Sequence, residues 1–155
     1  MSSTKKRRIL PSWFAVLFIA VLIVSCKTSK PIVNASSEGI AIKGYDTVAY
    51  FTMGKPVKGD EQFTNEWHGA KWLFSSVEHR DLFAVNPEKY APQYGGYWAY
   101  AVSRGSTANI DPQLWTIEDG KLYLNLNDKV SKLWFESLSE NIKEADKNWP
   151  SALKK

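Results

Sequence analysis

Apolar residues are spaced in three different ways along this chain. From Trp13 to Val24 they run without interruption. In "QFTNEWHGAKWLFSS" (Gln62 to Ser76) they alternate with polar residues on both sides of His68-Gly69, which predicts a β-hairpin. "LWTIEDGKLYLNL" (Leu114 to Leu126) repeats that pattern around Asp119-Gly120 and predicts a second hairpin. From Asp128 to Trp149 the spacing changes. Val130, Leu133, Trp134, Leu138, Ile142, Ala145 and Trp149 recur at three- and four-residue steps, which predicts one long amphipathic helix closed by Pro150.

Between the hairpins, "SSVEHRDLFAVNPEKY" opens with Ser75 and has Glu78 three residues on, a capping-box pattern. Val77, Leu82 and Phe83 supply the apolar positions of a short helix ending near Asn86-Pro87. "GYDTVAYF" (Gly44 to Phe51) reads as a short helix or turn that buries Val48 and an aromatic ring. Strands joined in hairpins, with helices apart from them, give an α+β fold and not a parallel sheet. The expected domain spans residues 40–150, and 151–155 form a tail.

"YAPQYGGYWAY" (Tyr90 to Tyr100) is the densest aromatic stretch. Gly95-Gly96 lets the backbone bend or approach another element closely. Beyond it, Tyr97, Trp98, Tyr100 and Val102 read as a strand, with Tyr97 on one face and Trp98 and Tyr100 on the other. Rings of this size build the wall of a small core. Buried phenols need partners, so a partly polar pocket lined by Tyr45, Asp46, Tyr94, Tyr97, Trp98 and Tyr100 is the alternative.

The amino-terminal run changes the picture of where the protein works. "KKRR" (Lys5 to Arg8) precedes twelve apolar residues, too few to cross a bilayer but right for an export signal. The run ends in "IVSC" (Ile23 to Cys26), and Cys26 is the single cysteine. This resembles a bacterial lipoprotein signal. The resemblance implies cleavage of residues 1–25, lipid on the Cys26 thiol and a membrane anchor. Lys27 lacks the aspartate that retains such proteins in an inner membrane, which favours the outer membrane and a periplasmic domain. Residues 26–39 read as the lipidated cysteine and a flexible tether.

Loss of Met1 to Ser25 removes Lys5, Lys6, Arg7 and Arg8 and no acid, taking 20 basic residues to 16 against 16 acidic ones. A neutral mature domain gives no electrostatic case for nucleic acid.

"FSSVEHRDLFAVNPEKY" (Phe74 to Tyr90) resembles the helical half of a YHS domain, in which cysteines recur in a Phe-Cys-Ser-x-x-Cys-Arg pattern before Asn-Pro-x-x-Tyr. "GYDTVAYF", "HGAKWLF", "YAPQYGGYWAYAV", "GKLYLN" and the final "NWP" are similar to an exported bacterial subgroup of that family. The resemblance implies a small, non-enzymatic, membrane-anchored binding module for a small ligand, a haem or a metal. The alternative is a structural or protein-interaction lipoprotein whose metal site has been lost, and an unrecognised enzyme is the third reading. At the positions of the family's cysteines this chain has Ala49, Ser75 and His79. Alanine has no donor atom and a neutral serine hydroxyl is a poor one, so no tightly held Cys-ligated zinc or copper is expected. His79, with His68 as the other histidine, is the candidate metal or haem ligand.

Enzyme motifs are absent: there is no Gly-x-Ser-x-Gly, no phosphate loop and no zinc-protease histidine pair.

Overall fold

A computed structural model describes residues 29–154, so the expected export signal, residues 1–25, and Cys26 lie outside the described residues. The elements are α1 (Thr47–Thr52), β1 (Asp60–Trp67), β2 (Ala70–Phe74), α2 (Val77–Val85), α3 (Pro87–Tyr90), α4 (Ala99–Ser103), β3 (Asp111–Glu118), β4 (Lys121–Asn125), α5 (Asp128–Glu136) and α6 (Leu138–Asn148). Short 3₁₀ turns cover Ile42–Gly44, Gln93–Gly96 and Ser151–Lys154. β1 pairs with β2 and β3 with β4 in two separate antiparallel sheets. The fold is α+β.

Both hairpins turn where the alternation predicts. His68 and Gly69 have φ of 50° and 73°, Asp119 and Gly120 of 48° and 72°. Two successive positive φ values give the mirror-image turn whose twist matches that of paired strands. Strand β4 sorts the core into two halves. Side chains alternate across a strand, so Leu122 and Leu124 face one cluster with Val48, Trp72, Phe74 and Phe83. Tyr123 faces the other, with Tyr94, Tyr97, Val102, Trp134 and Ala145.

The chain departs from the sequence pattern in five places. Tyr97 to Val102 is not a strand. The chain turns at Gly95 and Gly96, with φ of 61° and 76°, and then enters α4. Ala99, Val102 and Ser103 are buried at helical spacing, and the Val102 amide donates to the Trp98 carbonyl at 3.1 Å. A short apolar run fits either period, and tertiary contacts decide.

The final helix is also two helices. Ser137 sits at φ −136°, ψ 46°, outside helical geometry, and separates α5 from α6. Trp134 ends up fully buried while Leu133 is 46 % exposed, so the stripe does not continue as one face. The break has its own cap. The Asn141 amide donates to the carbonyls of Leu133 and Trp134 at 3.0 and 3.1 Å, using acceptors that a helix end leaves unpaired.

The expected tether is packed chain from Lys30 onward. The Lys30 amide donates to the Leu153 carbonyl, the Asn34 amide donates to the Gly95 carbonyl, and Val33 is buried. A Cβ at Gly95 would run into the Ile32 backbone, so glycine is what lets these segments touch. The expected tail is likewise part of the core, with Ala152 and Leu153 buried. Finally, α2 starts one residue later than the capping box suggests, at Val77, which is exposed; its cap is Ser76, which accepts from the His79 amide at 3.1 Å.

Candidate functional site

The reason for that shift lies at Asp46. Asp46 caps α1, its Oδ1 accepting from the amides of Val48 and Ala49 at 3.0 and 3.2 Å. An aspartate before an incipient helix does this routinely. The side chain is fully buried, and its other oxygen reaches across to the start of α2. Oδ2 accepts from the Ser75 amide at 2.8 Å, the Ser75 hydroxyl at 2.6 Å and His79 Nδ1 at 2.6 Å. Both donors of Ser75 are therefore committed, and the neighbouring serine is left to cap the helix. Five donors on one buried carboxylate satisfy the requirement that buried charge be paired and hydrogen-bonded.

The contact fixes the imidazole tautomer. A carboxylate only accepts, so Nδ1 carries the proton. The outward nitrogen, Nε2, lies 3.1 Å from the Thr52 hydroxyl. That hydroxyl also lies 3.2 Å from the Val48 carbonyl, one turn back in α1. The His79 side chain retains 12 % of its exposure. Asp46, His79 and Thr52 thus form a carboxylate–imidazole–hydroxyl series, the order found in hydrolytic triads. The nearby amides of Val48 and Ala49 are taken by Asp46, so they are not available as an oxyanion cradle. What the arrangement offers is one oriented imidazole nitrogen.

Of the residues singled out from sequence, Asp46 and His79 meet. His68 goes elsewhere. It is exposed at the tip of the β1–β2 hairpin, its ring 4.0 Å from that of Trp67. It lines a cleft of about 220 Å³ with Ile32, Val33, Trp67, Pro92, Gly95 and Trp149. Among the described residues no three His, Cys, Asp or Glu side chains gather as a metal would need. One imidazole and a neutral hydroxyl do not fit a tight zinc or copper site.

The aromatic residues are wall. Tyr94 donates to Asp146 Oδ1 at 2.8 Å and Tyr97 to the Pro31 carbonyl at 2.9 Å, so these phenols brace the core against α6 and the amino-terminal segment. Burial pushes both phenols above their ordinary range, and Asp146 adds to the effect at Tyr94. Tyr100 is half-buried beneath the Arg104 guanidinium, 4.8 Å from its ring centre. Trp98 packs beside Tyr100, and its buried indole N–H has no partner among the described residues. Tyr45 is half-buried under the Lys58 ammonium and receives a 3.4 Å contact from Gln113. No described cleft joins these rings to His79. The largest, about 490 Å³, runs along the outer side of α2 past Leu82, Val85, Lys89 and Tyr90.

Sequence reasoning missed Ser75 and Thr52 as members of the Asp46 cluster. The signal for Ser75 was present but ambiguous, since either of two adjacent serines could have been the cap. Comparison with known proteins adds no assignment: no family model, curated protein or solved structure matches this chain.

Proposed function

We propose that this protein is a non-enzymatic binding module of the bacterial cell envelope, with a YHS-like fold and a membrane anchor at Cys26. One observation carries this reading. Ala49, Ser75 and His79, the residues that the resemblance to YHS domains sets against that family's cysteines, all hydrogen-bond to Asp46. A buried carboxylate ties the starts of α1 and α2 together, as a shared metal ion would. His79 Nε2 is then the group that meets a ligand, reached when the exposed Thr52 side chain rotates aside. With its Nδ1 held by a carboxylate, His79 would be the residue that holds a haem iron, or that accepts one hydrogen bond from a small ligand, through Nε2. Titration of the processed protein with haem tests this. A shifted Soret band in the parent, lost in His79→Ala, is expected. Identical spectra for the two chains would remove His79 from the binding role.

A second reading, a structural or protein-interaction lipoprotein whose metal site has been lost, has its own support. Thr52 covers Nε2, and no described cleft is lined by His79. On that reading the haem titration is silent and His79→Ala lowers only the melting temperature.

A further inference from the structure

The packed amino-terminal segment fixes which side of the domain a lipid on Cys26 would hold against the bilayer. The Lys30 amide bonds the Leu153 carbonyl at 3.0 Å, and the Lys30 ammonium bonds the Thr107 hydroxyl at 2.7 Å. The Tyr97 phenol clamps Pro31, and Val33 is buried. Lys30, four residues past Cys26, is therefore already fastened to the domain. Four Cα steps of 3.8 Å reach about 15 Å at full stretch. That is half the thickness of a bilayer's hydrocarbon core, and much less than a long tether would allow.

Charge supports the same orientation. The mature chain is neutral overall, yet Lys30 and Lys154 lie at the bond that joins Lys30 to Leu153, and the sequence has no acid from 29 to 37 or from 147 to 154. Beside them, Ile32 is 41 % exposed and forms one wall of the cleft shared with Trp67, His68 and Trp149. Lysines flanking amphipathic rings suit a headgroup layer, where the ammonium groups meet phosphates and the rings straddle the polar boundary.

We propose that this face, made by residues 30–33, Trp149 and Lys154 and bordered by Trp67 and His68, rests on an anionic phospholipid surface. The inference rests on the anchor reading, and the test separates the two. The full chain, processed in its host, is reconstituted into vesicles of phosphatidylethanolamine and phosphatidylglycerol, and lysines are acylated with a water-soluble, membrane-impermeant reagent. Mass analysis of the same sample reports the state of Cys26. The expected result is an acylated Cys26, with labelling of Lys30 and Lys154 reduced at least threefold in vesicles relative to detergent, and other lysines little changed. Inserting twenty Gly/Ser residues after Lys27 should restore labelling at both positions by at least twofold. An acylated Cys26 with equal labelling in vesicles and detergent would overturn the membrane-facing surface and leave the anchor intact. An unmodified Cys26 thiol on the full-length chain would overturn both.

Discussion

The Asp46 carboxylate concentrates more bonding than any other described side chain, and substitutions there separate its roles. In Asp46→Asn one oxygen still caps α1, but an amide nitrogen then faces the Ser75 amide and His79 Nδ1, which are also donors. Leaving buried donors without acceptors costs about 1–3 kcal/mol each. We expect Asp46→Asn to lose about 3 kcal/mol in chemical denaturation, and His79→Ala about 1–2 kcal/mol, because the mutant leaves Ser75 and the two α1 amides bonded to the carboxylate. The reverse order would mean that the imidazole, not the carboxylate, organises the cluster. Asp46 and His79 were each legible from sequence as candidate site residues, although their contact joins positions 33 residues apart. Ser75 was not, since its role depends on a carboxylate 29 residues away. Local capping chemistry cannot report such a partner.

At the level of elements, the broken carboxy-terminal helix is the informative case. The heptad-like stripe was visible, but the break at Ser137 was not, because nothing in the local residues forbids a helix there. The break comes with long-range bonds. Arg104 at the end of α4 donates to Asn141 Oδ1 at 3.1 Å, and Asn148 caps the carbonyls of Val102 and Ser103. Asn141→Ala removes three hydrogen bonds at a buried site, and we expect a loss of about 2 kcal/mol by urea titration. Trp134 is fully buried against Tyr123, 5.6 Å between ring centres, so truncation before Asp128 should abolish cooperative unfolding. A shortened chain that melts as sharply as the parent would show α5 and α6 to be appendages. The hairpins were the most legible elements, since strict alternation and a two-residue turn leave little for tertiary contacts to alter.

For the whole molecule, buried phenols set an alkaline limit. Burial, with nearby carboxylates, pushes Tyr123 up to about 12 and raises Tyr50 and Tyr94 further. Tyrosine in an unfolded chain titrates near 10. A raised folded-state value means that the native state holds its protons longer. Its stabilising contribution is complete below pH 10 and is lost as pH climbs through the folded values. Phenolate absorbance should therefore show a group of tyrosines ionising well above pH 10, together with loss of near-ultraviolet circular dichroism. All seven titrating together near 10 in a folded protein would contradict the packing described.

The bond from Lys30 to Leu153 has another consequence. It brings Lys30 and Leu153 within one hydrogen bond of each other, so the chain between them has the topology of a nearly closed ring. A ring can be cut elsewhere. Gly54 lies on an exposed turn after α1, at φ 63°, with no neighbouring atom near the position a side chain would take. A circular permutant that joins the old ends through a short linker and opens at Gly54 should keep both hairpins and the Asp46 cluster. Its amino terminus would leave the domain at a different place. A lipid attached there would hold the domain by another side, with the native contacts unchanged.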